Sequence, residues 1–72
     1  MINVENNPEF LNSFLDYIET ILNKSPSTVK EYNYDLINFL KFVKIRLKLE
    51  KESQFDQINI KDITLDDLKN LH

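Results

Sequence analysis

Cysteine, glycine and tryptophan are absent from this chain, histidine and arginine occur once each, and proline occurs twice. Without cysteine there is no disulfide and no thiolate metal site, and a reducing compartment is permitted. Without glycine there is no glycine-rich phosphate loop, because such loops use backbone positions that only glycine fills well. Tight Asn-Gly hairpins are disfavoured for the same reason. No apolar run approaches the ~18–20 residues of a membrane span. Residues 1–7 lack the positive cluster and apolar core of a signal peptide. The expectation is a cytoplasmic protein with no membrane partner. The one imidazole, His72, is terminal and has no convergent ligands beside it, so no metal site is expected.

What is present fits one small domain. The chain has 72 residues, 42% of them apolar, which is enough for a core and too much for general disorder. A core of this size supplies only a few kcal/mol of net stability. The net charge of −3 hides a segregation. From Lys24 to Lys51 there are seven basic and three acidic residues, a net +4, while the remainder holds two basic and nine acidic ones, a net −7. A globally acidic protein is a poor polyanion binder, but one helix can still carry a positive local field.

The spacing predicts a first helix beginning at Asn7-Pro8, with Asn7 as cap, Pro8 in the first turn and Glu9 at the positive helix end. Phe10, Leu11, Phe14, Leu15, Ile18, Ile21 and Leu22 recur at three- and four-residue intervals and predict a wide buried stripe. That helix should stop near Asn23-Lys24, because Pro26 turns Ser25 away from helical geometry. A second helix should start at Ser25 or Ser27. Its stripe is Val29, Tyr32, Leu36, Phe39, Leu40, Val43 and Leu47. Lys30, Tyr34, Lys41, Lys44 and Lys48 share a second face. Ile37, Phe42, Ile45 and Leu49 are apolar residues beyond what one partner helix covers.

Glu50 to Gln57 reads as a polar loop around Phe55, and Ile58, Ile60 and Ile63 read as an extended connector, since a lone strand has nothing to pair with. Thr64 to Asp67 then opens a third helix, with Asp67 in the capping-box position and Leu65, Leu68 and Leu71 on its apolar edge. It reaches His72 after about two turns with no stop signal, so the end reads as cut. No catalytic constellation is visible. Asp66 and Asp67 are explained by the dipole of their helix. Tyr17, Tyr32 and Tyr34 have no sequence-adjacent base. Tyr34 stands apart only in lying among lysines, where an aromatic can contact sugar, phosphate or base.

The stretch from Ser25 to Leu40, SPSTVKEYNYDLINFL, together with Phe14-Leu15-Asp16-Tyr17-Ile18 before it and Ile63-Thr64-Leu65-Asp66-Asp67-Leu68 after it, resembles the N-terminal core-binding (SAM-like) domain of tyrosine recombinases, the phage-integrase and Xer family. The middle motif is the specific one. The resemblance implies an all-α bundle of three helices over residues 1–72, a SAM-like domain lacking its fourth helix. It implies one half of a clamp on double-stranded DNA, with other recombinase protomers as further partners and no cofactor or small-molecule substrate. The parent would cut and rejoin DNA through a phosphotyrosine intermediate, using a catalytic domain C-terminal to these residues. The DNA contacts implied by position are Ser27, Thr28, Lys30, Glu31 and Tyr34, extending to Lys41 and Lys44. The chain departs from the family at Asn33 and Tyr34, where members commonly carry two arginines. The competing expectation is a helical protein–protein module that uses the surplus apolar face of the second helix.

Overall fold

A computed structural model describes residues 5–70. Helices α1 (Glu9–Thr20) and α2 (Pro26–Arg46) are followed by a 3₁₀ segment, Glu52–Gln57, and a short helix α3 (Leu65–Lys69). No strand occurs among the described residues, and the class is all-α.

Asn7 does not cap α1. Pro8 is the N-cap, with φ −60 and ψ 150, and its carbonyl accepts from the Leu11 and Asn12 amides at 3.0 and 3.2 Å. The Asn7 side chain is used elsewhere. It is buried, and its Nδ2 donates to Asn33 Oδ1 at 2.8 Å and to Asn12 Oδ1 at 3.4 Å. A buried amide needs such partners. The long-range bond ties the lead-in of α1 to the middle of α2.

α1 stops earlier than the stripe suggests. The Ile21 and Leu22 amides both donate to the Tyr17 carbonyl, at 2.9 and 3.2 Å, and the Lys24 amide reaches Ile18. Asn23 sits in the left-handed region, φ 55. Asparagine tolerates that region better than most residues, and this chain has no glycine to use. Ser25 then caps α2. It is extended, as the residue before Pro26 should be, and its Oγ accepts from the Thr28 amide at 3.3 Å. At the other end the Leu49 amide donates to the Lys44 carbonyl at 2.9 Å and the Lys48 amide to Ile45 at 3.0 Å. This is a Schellman motif with Lys48 at φ 62 in the position usually given to glycine.

The core has three contributors. α1 supplies Leu11, Leu15 and Ile18, α2 supplies Val29, Leu40 and Val43, and the connector supplies Ile58, Ile60 and Ile63. The connector therefore serves as a third packing element without being a strand. The buried seam is narrower than the predicted stripes. Phe14, Ile21, Leu22, Tyr32 and Phe39 are all substantially exposed. Two helices and one strap cover only the innermost line of each stripe, so the flanks stay wet. Phe14 and Tyr32 meet edge to face at 6.4 Å along that flank.

The expected loop at Glu50 to Gln57 is instead the 3₁₀ segment, with a kink at Gln54 (φ −111, ψ 24). It lays Phe55 against Phe42, with ring centroids 4.9 Å apart. The surplus face is thus partly covered. Ile37 and Ile45 are half-buried, while Phe42 and Leu49 remain exposed. The capping box of α3 is formed as expected. The Asp67 amide donates to Thr64 Oγ1 at 3.4 Å, and the Thr64 amide to Asp67 Oδ2 at 2.8 Å. Leu68 packs on the core and Leu65 is exposed. Leu71 and His72 lie outside the described residues.

Candidate nucleic-acid interface

The N-terminal end of α2 presents its polar residues to water. Ser27, Lys30, Glu31 and Tyr34 are exposed, and Tyr34 is 68% accessible. No acidic residue occupies the first turn, so the positive end of the helix is not offset there by a side chain. Thr28 is half-buried, and its hydroxyl lies 3.0 Å from Ser25 Oγ within the cap. Lys30, Glu31, Tyr34 and Asp35 line one shallow hollow. That patch can offer hydroxyls, one ammonium and an aromatic face, with two carboxylates beside them.

The rest of the predicted lysine face does not stay together. Lys41 is half-buried, and its Nζ stands 5.2 Å from the centroid of the Phe55 ring. Lys44 is turned inward. Its side chain is only 6% exposed, and Nζ lies 2.6 Å from Asp62 Oδ1. This corrects the placement of Lys44 beside Lys30 and Lys41. The reason is rotational: residue 44 borders the seam of Leu40, Val43 and Leu47, where a lysine stem can lie on apolar surface while its head reaches out. The head finds Asp62, itself 74% exposed. The hydrogen bond from Lys44 holds the Asp62 carboxyl below its ordinary value of 3.8 despite some desolvation, and the Lys44 charge adds to the effect. Lys48 leaves the face too, because its left-handed backbone lies past the end of α2.

Asn33 is also turned away from the patch. Its Oδ1 accepts the Asn7 bond, so of the two positions that depart from the recombinase motif only Tyr34 faces out. The roles of Asn7 and Asp62 were invisible in the sequence, since each acts through a partner 18 or more residues away. Phe55 left a signal, an isolated aromatic in a polar run.

Among the described residues, no group of three or more His, Asp or Glu side chains is arranged to hold a metal ion. None of their helices is long and apolar enough to cross a membrane.

No protein-family model matches the chain, and no solved structure matches it. A curated protein does: tyrosine recombinase XerC of Caldanaerobacter subterraneus subsp. tengcongensis, 43% identical over 60 residues. The matched stretch is 82% of this chain and 17% of that protein. At that identity, over most of its own length, the chain is related to the tyrosine recombinases.

Proposed function

We propose that this chain is a DNA-positioning core-binding domain of a tyrosine recombinase. In this reading it forms one half of a clamp on double-stranded DNA in the cytoplasm, and other recombinase protomers are its further partners. It performs no chemistry. A catalytic domain of the parent protein would cut and rejoin the DNA. The observation that carries the reading is the similarity to tyrosine recombinase XerC. The exposed start of α2 supports it, since hydroxyls, an ammonium and a helix N-terminus suit phosphates.

Ser27, Thr28, Lys30 and Tyr34 are the proposed contacts, with Glu31 lying in a contact slot and Lys41 extending the track. Lys44 is left out, because its ammonium is held by Asp62. With two lysines on phosphates, affinity should fall about tenfold between roughly 50 and 200 mM salt. Titrating the labelled protein with a short duplex at low salt tests this. Amide shifts should gather at Ser27, Thr28, Lys30 and Tyr34. Shifts confined to Phe42 through Leu49, or none at all, would sink the reading.

The competing reading is a helical protein–protein module. The observation in its favour is the exposure of Phe42 and Leu49 on the surplus face.

A further inference from the structure

Phe55 is the one aromatic in the polar run from Glu50 to Gln57. The 3₁₀ segment brings it back onto α2, where it touches two consecutive residues in different ways. Against Phe42 it makes a tilted ring contact at 4.9 Å. Over its face stands the Lys41 ammonium at 5.2 Å, inside the ~6 Å within which a cation is drawn to a ring.

Lys41 lies eleven residues after Lys30, within about 20° of it around the helix and about 16 Å along it. Tyr34 and Lys41 are likewise about 20° apart. The three residues form one line. A lysine is a flexible stem with three donors. A ring beneath the ammonium takes one side of it and leaves the donors on the other side for an anion. Ordering the stem in advance removes part of the entropy that a phosphate contact would otherwise lose.

We propose that Phe55 is a positioning residue for DNA, its ring holding the Lys41 ammonium in line with Lys30 and Tyr34. This rests on the DNA-binding reading above. It extends the functional unit from α2 to a segment that touches no DNA itself. With the ring gone, Asp56, which lines the same hollow as Lys41, becomes a competitor for the ammonium.

The test is a double-mutant cycle on duplex affinity at low salt, using Phe55→Leu and Lys41→Gln. Leucine keeps apolar cover over Phe42 and loses the ring face. Phe55→Leu should weaken binding about two- to fivefold when Lys41 is present, the range expected of an exposed cation–π contact. It should have no effect in the Lys41→Gln background. Phe42→Leu is the packing control, since it removes the ring–ring contact and leaves the ammonium on Phe55; it should leave affinity unchanged. In the free protein the Lys41 ε-methylene protons should be shifted upfield by the ring, and Phe55→Leu should abolish that shift. If the wild type binds duplex and Phe55→Leu weakens it equally in both backgrounds, or not at all, the positioning role is overturned while the DNA reading stands. If the wild type binds no duplex, both are overturned.

Discussion

The two halves of α2 carry lysines on the same side by helical rotation, yet they treat them differently. In the first half, Lys30 stands in water beside Tyr34. In the second half, Lys41 rests on a phenyl ring and Lys44 is sealed under Asp62. Within the helix, residue 44 borders the buried seam more closely than residue 30 does. The rest comes from the chain that returns after Leu49, which lays Phe55 and Asp62 over the second half. The same residue type on neighbouring rotations is thus solvated in one place and a structural strut in another.

The largest test of that contrast is removal of the strut's cap. Asp62→Ala leaves Lys44, whose side chain is 6% exposed, without its ion-pair partner, and should cost about 2 kcal/mol in denaturant unfolding. Lys44→Met should cost less, because the stem's packing survives and the stranded Asp62 is already in water. Equal costs would mean that the pair is an ordinary surface bridge.

Charge reversal at Lys30 comes next. Lys30→Glu should lower duplex affinity about tenfold at low salt, roughly 1.4 kcal/mol, and leave the helical signal unchanged. Lys44→Met should leave affinity within about twofold if that lysine has no part in binding. A third test concerns the start of the exposed half. Ser25→Ala removes the cap and should cost about 1 kcal/mol of stability. At the opposite end, Lys48→Gly should stabilise the fold by about 0.5 kcal/mol, because φ 62 suits glycine better than lysine.

The smallest effect is on pH. The Asp62 carboxyl titrates below 3.8 in the folded protein, so its contribution to stability is complete above that value and is lost as pH falls through the lower folded one. The melting-temperature gap between wild type and Asp62→Asn should therefore be present at neutral pH and shrink as pH falls below 3.8. A gap that widens on acidification would reverse the assigned sign.

These contrasts also show what the sequence could convey. Local signals read well. Pro26 placed the start of α2, Thr64 and Asp67 wrote a capping box into four residues, and Leu11, Leu15 and Ile18 held the spacing of the buried seam. Width read poorly. Phe14, Tyr32 and Phe39 fit the helical period as well as their buried neighbours do, and period alone does not tell how much of an apolar stripe its partner covers. Long-range polar pairing was not readable at all. Asn7 looked like a cap because asparagine at that place usually is one, and its true partner, Asn33, lies 26 residues on. At the candidate interface, the exposed Lys30 and Tyr34 agree with their rotation, while Lys44, at the edge of the buried stripe, turns inward where an aperiodic strap supplies a carboxylate.

The Asn7–Asn33 bond has a consequence for how the molecule can be watched. An asparagine that is 4% exposed and whose Nδ2 donates at 2.8 Å to α2 from the lead-in of α1 should hold its side-chain protons in slowly exchanging positions. Most of the other described asparagine and glutamine residues are exposed and should exchange faster. Its NH₂ pair, shifted from the exposed ones in a nitrogen-edited spectrum, would then report whether the lead-in of α1 stays docked on α2. It would collapse toward the exposed signals when the helices part, even if each helix kept its own backbone bonds. The chain carries its own gauge of tertiary contact, separate from helix content.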